Sequence, residues 1–430
     1  MTAAHIRGAR PRVTEVDVLR GFALLGILLV NAPMAAGPYS LYGLLAPGAS
    51  ALDRAVEAVL HVFVVGKFYL LFSFLFGYSF TLQLEAADRD GARAVPRLLR
   101  RSLGLFALGL AHAVLLYSGD ILMVYALLGL VLVAARGCSP GAARTAARVV
   151  YGCASAFMLL LGLLTLLLSD AEVAGMNAEL TASVPDLVAG YRGDAASVVA
   201  TNAGLLPEGF SSLFTMGGFV VAAFLAGLHC GKRRLLSGAS ATGAHRARLR
   251  RVCLLGTAVG LPGGVFLAMT VVGPLGPRWA VLGQAVGVVT APALTAAYVC
   301  GALLLLRTAR GARAGALLAP AGRMALTNYL TQSLVLALVF TGYGLALYDR
   351  LGTAAVTLGA LVLYAAQLAL SRRLTATHRH GPAEWLLRTV TLARLPRDRA
   401  PGAYAGTGGT GGTGGTGGDP EPDRPGGVTR

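Results

Sequence analysis

Long apolar runs alternate with short polar segments over most of the chain. Ten of these runs are long enough, or nearly so, to cross the roughly 30 Å apolar layer of a bilayer as helices. They cover 18–34, 68–84, 102–117, 121–135, 149–168, 211–230, 252–272, 281–306, 325–343 and 353–371. The pattern predicts an all-α, polytopic integral membrane bundle of about ten transmembrane helices.

Lysine and arginine fall mainly on one side of these spans. Of the 37 basic residues, 32 lie in the N-terminal segment, the C-terminal tail and four alternate loops: 85–101, 136–148, 231–251 and 307–323. Cytoplasmic loops of membrane proteins carry this excess. We therefore expect a multi-pass protein of the plasma (inner) membrane with both termini in the cytosol. The opposite side receives the outer loop 170–210, where six carboxylates accompany the single Arg192.

The same pattern divides the chain into four parts. Residues 1–15 form a cytosolic N-terminal segment, and 16–374 form the transmembrane domain. Residues 375–400 are basic and are expected at the inner membrane edge. Residues 401–430 form a tail rich in Gly and Thr that cannot bury a core and is predicted to be disordered.

Two stretches of the transmembrane domain depart from simple spans. Residues 53–66 form an amphipathic segment with Glu57 and His61 on one face, which is expected to lie along the outer interface. Pro262, followed by two glycines, and Pro292 lie inside predicted spans. Prolines at such positions kink or break a helix, so both spans are expected to be kinked or interrupted.

Composition excludes several functional classes. Only 13% of residues are charged, against about a quarter in soluble domains, and the mean hydropathy is +0.65. The net charge of +17 could suggest nucleic-acid binding, but the basic residues lie at the ends of membrane spans, so no nucleic-acid partner is predicted. The five cysteines have no paired spacing, and no metal site, disulfide framework or resident cofactor is predicted.

The first span carries a line of polar side chains. Asp17 and Arg20 lie at its cytosolic end, and Asn31 lies near its far end with only apolar residues between. Arg20 and Asn31 fall within roughly 20° of each other around the helix and about 16 Å apart along it. Asp17 and Arg20 form either a local anchoring ion pair or a site for an anionic group, with Asp17 orienting the arginine.

His112, Lys67 and Asp120 map to the outer half of the membrane together with Asn31. His112 lies well inside the third span and is either a helix-bridging histidine or a general base. Asp120 begins the fourth span and either caps that helix or orients His112. Lys67 either extends to the interface or joins these residues in one shared pocket.

The ninth span opens at the cytosolic side with the polar run from Gly322 to Ser333. Arg323 and Asn328 are its candidate binding residues. They either line a cavity that receives a ligand or bridge helices as ordinary polar contacts.

Four motifs resemble one known family, the YeiB-like "domain of unknown function 418" membrane proteins. They are the run from Asp17 through Asn31, the run Gly66-Lys67-Phe68-Tyr69 to Gly77, His112 with Gly119-Asp120-Ile121-Leu122, and Gly322-Arg323-Met324 to Tyr329. The run Gly381-Pro382-Ala383-Glu384-Trp385 to Arg388 matches the closing motif of that family. The resemblance covers 13–391 in the same order and implies a polytopic helical membrane protein.

More distantly, the opening motif is similar to that of acyltransferase-3-type membrane acyltransferases. This similarity implies transfer of an acyl group from cytosolic acyl-CoA, a co-substrate and not a bound cofactor. In that family a histidine stands about where this chain has Asn31, so His112 would have to supply the base.

Two functions are predicted, and a purely structural or accessory membrane role is a third possibility. In the first, Arg20 and Arg323 bind the acyl donor. His112, oriented by Asp120, then deprotonates a small-molecule, lipid or glycan acceptor, while Lys67 or Asn31 stabilises the oxyanion. In the second, the chain is a small-molecule transporter or exporter built from two inverted five-helix halves. The lipid bilayer is a partner in both, and the sequence does not predict the oligomeric state.

Overall fold

The computed structural model describes residues 14–236 and 243–395, which are α-helical and contain no strand. The helices are α1 (Thr14–Ala36), α2 (Pro38–Leu41), α3 (Ala51–Phe63), α4 (Lys67–Arg89), α5 (Ala94–Leu115), α6 (Leu122–Ala134), α7 (Pro140–Thr165), α8 (Asp170–Ala182), α9 (Val184–Arg192), α10 (Ala195–Gly204), α11 (Leu206–Lys232), α12 (Gly243–Val271), α13 (Ala280–Leu305), α14 (Ala309–Arg323), α15 (Ala325–Phe340), α16 (Thr353–Thr377) and α17 (Pro382–Leu392). The predicted tail, 401–430, and most of the predicted N-terminal segment lie outside the described residues.

Within the described ranges, eight helical stretches are long and apolar enough to cross a membrane. They are Thr14–Ala36, Ala51–Arg89, Ala94–Leu115, Pro140–Thr165, Leu213–Lys232, Gly243–Val271, Pro277–Leu305 and Thr353–Thr377. Leu122–Gly137 and Ala325–Phe340 are apolar but shorter. The prediction of an all-helical membrane protein is confirmed, and each of the ten predicted spans overlaps one of these ten stretches.

Helix α1 lies at the centre of the bundle. Its residues Leu19, Ala23, Leu24 and Leu28 have no exposed surface, and they pack in one cluster with side chains from α4, α5, α15 and α16. A helix that is apolar on nearly every face belongs inside a larger assembly. The central position of α1 brings its polar line within reach of the surrounding helices.

The prediction that 307–323 is a cytosolic loop is wrong in one respect. Most of this segment forms α14, which packs along α1. The two helices touch backbone to backbone. A Cβ atom at Gly322 would lie 1.8 Å from the Asp17 carbonyl oxygen, and one at Gly21 would lie 2.3 Å from the Leu318 carbonyl oxygen. Small residues on both helices permit this approach, which a hydropathy pattern cannot reveal.

The predicted breaks at Pro262 and Pro292 are absent, since α12 and α13 each run through their proline as one helix. The two helices pack closely along their length. Cβ atoms at Gly256 and Gly260 would collide with Ala293 and Leu294 of α13. The glycines therefore serve close helix packing, and the interrupted helices that favoured a transporter are not present.

The outer loop 170–210 folds into α8, α9 and α10, which we call the outer cap. Tyr191 and Asn202 are buried there, and the Tyr191 hydroxyl donates to Asn202 Oδ1 at 2.9 Å. The cap is tied to the end of α15 because Gly342 N donates to the Tyr191 carbonyl at 2.8 Å. Arg192 Nε also donates to the Tyr348 carbonyl at 2.8 Å. The acidic loop is therefore an ordered roof over one end of the bundle.

Helix α17, in the predicted membrane-edge segment, is joined to α15 by a reciprocal cap. Glu384 Oε1 accepts from Leu326 N at 2.6 Å and from Thr327 N at 3.1 Å. In return, Ala383 N donates to Thr327 Oγ1 at 3.1 Å. Each helix thus satisfies free backbone amides of the other, which fixes the start of α15.

Burial raises the pKa of Glu384 above its usual value, against the opposing effect of its bonds to Thr327. The folded protein then binds this proton more tightly than the unfolded chain, so wild type should lose stability as the pH rises through that pKa. Because Glu384→Gln keeps an oxygen acceptor without the charge, we expect its thermal midpoint relative to wild type to rise as the pH increases from the usual pKa of a glutamate through the raised pKa of Glu384. A constant difference would contradict this account. Glu384→Ala, which loses the cap, should cost about 0.5–2 kcal/mol throughout.

Candidate functional site

His112 and Asp120 form a buried pair at the hairpin between α5 and α6. His112 Nδ1 lies 2.8 Å from Asp120 Oδ1, and the two side chains are 1% and 0% exposed. Asp120 Oδ2 also accepts from Met123 N at 2.7 Å, so one carboxylate caps α6 and binds the imidazole. Gly109 permits this arrangement, since a Cβ there would lie 2.7 Å from Asp120 Oδ2. Both predicted roles of Asp120, cap and histidine partner, are present together.

The other ring nitrogen of His112 has no partner. Because the Asp120 carboxylate is an acceptor, Nδ1 of the neutral imidazole carries the hydrogen and Nε2 carries the lone pair. Nε2 is buried and makes no hydrogen bond within the described part of the chain. The neighbouring rings are those of Tyr329, with a centroid 5.0 Å away, and Tyr117, at 6.4 Å. An oriented imidazole with a free Nε2 can accept a proton from a substrate.

A small cavity of about 20 Å³ lies near this pair, beneath α9 and α10. Thirteen residues line it: Met34, Ala35, Leu41, Leu116, Tyr117, Ser118, Tyr191, Asn202, Ser333, Leu336, Ala337, Thr341 and Tyr348. The Tyr117 hydroxyl is buried and has no hydrogen-bond partner among the described residues. Tyr117 is therefore shared between the pocket and His112. Sequence reasoning missed it, although it stands five residues after His112, at the end of the third predicted span.

The structure does not bring all four predicted outer residues together. Asn31 lies one turn before Met34 and Ala35 on α1, and residues three and four apart share a helix face, so it adjoins the pocket lining. Lys67 is elsewhere, with no exposed surface and with Nζ donating to the His61 carbonyl at 2.7 Å. Its ammonium is bound at the end of α3, a contact that sequence spacing did not suggest.

At the opposite end of α1, Arg20 makes both a local and a longer contact. Arg20 Nη1 donates to Asp17 Oδ1 at 3.0 Å, and Nη2 donates to Ser79 Oγ on α4 at 2.5 Å. The ion pair considered from the sequence is present, and the same guanidinium also joins two helices. Arg323 comes directly after Gly322, whose backbone packs against the backbone of Asp17 in α1. Arg323 is therefore attached at the same end of α1 as Arg20.

Arg101 adds a third guanidinium that the sequence analysis counted only as part of a basic loop. It lies on α5 within electrostatic range of Arg20 and Glu384. Arg101 Nε and Arg323 Nε are both buried without a hydrogen bond among the residues described. One sequence feature could have found it: Arg101 and His112 are eleven residues apart, like Arg20 and Asn31, and so share a helix face.

Asn328 bridges helices. Its Nδ2 donates to the Ala321 carbonyl at 3.1 Å and to Ser371 Oγ at 2.9 Å. Gln367 Nε2 donates to the Asn328 carbonyl at 3.0 Å, and Gln332 Nε2 donates to Gln367 Oε1 at 2.8 Å. These bonds join α15 to α14 and α16, which is the bridging alternative considered from the sequence.

The fold and these sites define an integral membrane protein with two polar centres at opposite ends of one helical bundle. Residues 230–394 match the family described as Protein of unknown function (DUF418). The uncharacterized protein YxaH of Bacillus subtilis (strain 168) is 30% identical over 400 residues, covering 88% of this chain and 94% of YxaH. The chain belongs to the DUF418 family.

Two further relatives align over similar lengths. The uncharacterized 39.9 kDa protein in the amylase 3' region of Bacillus acidopullulyticus is 28% identical over 391 residues, covering 89% of this chain and 94% of the relative. The uncharacterized protein YeiB of Escherichia coli (strain K12) is 28% identical over 398 residues, covering 89% and 96%. Each alignment therefore spans most of the chain.

Proposed function

We propose that this chain is a membrane-bound acyltransferase that moves an acyl group from cytosolic acyl-CoA to an acceptor at or across the membrane. The observation that carries the proposal is the state of His112. Its Nδ1 is held by Asp120, while its Nε2 is buried and makes no hydrogen bond to the described residues. A general base needs one nitrogen oriented and the other available.

The reaction assigned to this site is a single acyl transfer. His112 Nε2 takes the proton from an acceptor hydroxyl or amine, and the acceptor atom attacks the thioester carbonyl carbon. The carbon–sulfur bond then breaks, and the CoA thiolate leaves with the proton returned by His112. Asp120 stabilises the imidazolium that exists between these two proton transfers.

Two arginines, Arg101 of α5 and Arg323 of α14, supply the donor side of the proposal. Their Nε atoms are buried and make no hydrogen bond to the residues that the structure describes, and guanidinium groups bind phosphate oxygens in a bidentate way. Arg101 and His112 lie on one face of α5, about 16 Å apart along its axis. An acyl-CoA molecule carries its phosphates and its thioester at opposite ends of a long arm, and this spacing suits it.

The proposal requires a defined topology. We place the protein in the plasma membrane with ten crossings, counting the short helices α6 and α15, and with both termini in the cytosol. The arginines at the ends of α5, α11 and α14 and the acidic outer cap support this orientation. It puts the arginine end inside, where acyl-CoA is available, and His112 in the outer half.

A binding measurement on arginine variants tests the donor site. We expect the double variant Arg101→Gln/Arg323→Gln, in nanodiscs, to bind acetyl-CoA at least about tenfold more weakly, because charged hydrogen bonds contribute about 1.5–3 kcal/mol each. Arg313→Gln is the matched control, since Arg313 is an exposed arginine on the same helix as Arg323. Equal affinity in all three proteins would contradict the assignment of the donor site.

A further inference from the structure

We propose that the start of α15 is a phosphate subsite of the donor site, and that Glu384 of α17 fills this subsite until a phosphate group displaces its carboxylate. Glu384 is then an internal competitor of the donor. The proposal rests on the proposed function only where it identifies the phosphate as part of acyl-CoA.

The start of α15 holds the Glu384 carboxylate in the way that a helix start holds an oxyanion. Oε1 accepts from Leu326 N at 2.6 Å and from Thr327 N at 3.1 Å, and Oε2 accepts from Thr327 Oγ1 at 2.6 Å. Free backbone N–H groups at the start of a helix, here one of 16 residues, bind phosphate and carboxylate alike. These donors therefore suit a phosphate oxygen as well as they suit Glu384.

Two arginines lie beside this occupied helix start. Arg323 is the last residue of α14 and stands three residues before Leu326. Arg101 lies within electrostatic range of Glu384. The Nε atoms of both arginines are buried and make no hydrogen bond to the residues that the structure describes. Because a buried donor without an acceptor is costly, these two side chains call for an anion that the described part of the chain does not supply.

A phosphate group can satisfy the helix start and a guanidinium together. Both oxygens of Glu384 are already bound at the start of α15. A phosphate ester presents more oxygens than a carboxylate, and arginine binds phosphate with two parallel hydrogen bonds. Since two like charges in direct contact repel each other by several kcal/mol, the Glu384 carboxylate has to leave when the phosphate enters.

Helix α17 is anchored lightly enough to release Glu384. Of its eleven residues, Leu387 alone is buried, and it packs on α5, where a Cβ at Gly104 would lie 3.1 Å from its Cδ1. Segments with few buried apolar contacts open at low cost in free energy. Helix α17 can therefore shift while α5 and α15 keep their places in the bundle.

The test is equilibrium binding of pyrophosphate, which carries phosphate groups but no acyl group, to protein in nanodiscs. We expect saturable binding by wild type and at least about tenfold tighter binding by Glu384→Gln, because the competing charge is gone. Asp88→Asn is the matched control. Asp88 is an exposed acid at the end of α4, so this variant changes the net charge equally and should keep the wild-type affinity.

A second substitution tests whether phosphate and Glu384 use the same position. Thr327→Val removes the hydroxyl that now binds Glu384 Oε2. Added to Glu384→Gln, it should weaken pyrophosphate binding about three- to tenfold relative to Glu384→Gln alone. If Thr327→Val had no effect in that background, the phosphate would not occupy the position of the carboxylate, and the proposed subsite would be wrong.

Trp385 reports the displacement in protein that keeps Glu384. The chain has two tryptophans, so Trp279→Phe leaves Trp385, next to Glu384, as the single source of tryptophan fluorescence. Pyrophosphate should change this fluorescence saturably, with the same midpoint as its binding. Bound pyrophosphate without a change at Trp385 would show that Glu384 stays in place.

The other contrary results are equally direct. No pyrophosphate binding by folded protein, or equal or weaker binding by Glu384→Gln than by wild type, would overturn the proposal. Because the assay contains no acyl group, it is independent of the reaction. Tighter pyrophosphate binding by Glu384→Gln without thiol release from acetyl-CoA by wild type would contradict only the proposed function.

Discussion

Replacing His112 with glutamine is expected to lower the rate of acyl transfer by about 10²–10⁴-fold, the usual contribution of a positioned general base. Donor affinity should stay the same, because Arg101, which we propose binds the phosphates together with Arg323, lies about 16 Å away along α5. The measurement is single-turnover thiol release from acetyl-CoA, with donor binding followed in the same preparation. A variant that keeps the full rate would show that His112 is a structural residue.

Asp120→Asn is the companion variant for this prediction. Asparagine can still cap α6, but its amide would donate to His112 Nδ1 and place the hydrogen on Nε2, so the base would be lost. We expect a folded protein with a rate as low as that of His112→Gln. If Asp120→Asn had the wild-type rate, Asp120 would serve only as the helix cap.

A side chain at position 322 is expected to cause a large loss of stability. The Cβ of Gly322→Ala would lie 1.8 Å from the Asp17 carbonyl oxygen and 2.8 Å from Gly21 N. These are backbone atoms, so α14 has to move away from α1. Overpacking of this kind costs about 1–3 kcal/mol. A lower thermal midpoint in nanodiscs should be accompanied by weaker acetyl-CoA binding, because Arg323 moves with α14.

Gly359→Ala is the matched control for the packing prediction. Gly359 lies within α16, and a Cβ there would meet nothing within 4 Å. Since alanine stabilises a helix interior by roughly 0.5–1 kcal/mol over glycine, its midpoint should equal or exceed that of wild type. If the two variants behaved alike, the loss at position 322 would not come from the contact between α1 and α14.

The hydrophobic pattern predicted the membrane helices well because a bilayer imposes their length and composition. It misjudged their edges where a helix continues past the apolar region. The span predicted to begin at residue 149 is α7, which begins at Pro140 and carries Arg144 and Arg148 in its first turns. The helix α14 was missed because it is amphipathic and its buried face consists of small residues.

The polar residues show which side-chain contacts can be predicted from their spacing along the sequence. His112 and Asp120 are eight residues apart across one short hairpin, so a sequence can place them together. Lys67 Nζ donates to the carbonyl of His61, only six residues earlier, so this contact is local as well. The electrostatic neighbours of Arg101 are Arg20 on α1 and Glu384 on α17. Their proximity depends on how distant helices pack, and no periodicity in one helix contains that information. The cap that Glu384 provides for α15 also joins helices that are distant along the chain, so the sequence pattern did not predict it.

The most direct test of acyl transfer is thiol release from acetyl-CoA by the wild-type protein in nanodiscs, compared with empty nanodiscs and with His112→Gln. With a hydroxyl acceptor supplied, wild type should release thiol in a saturable manner, and both comparisons should show only the background rate. Donor binding without thiol release by folded wild-type protein, or equal release by His112→Gln, would contradict the assignment of His112 as the base of an acyltransferase.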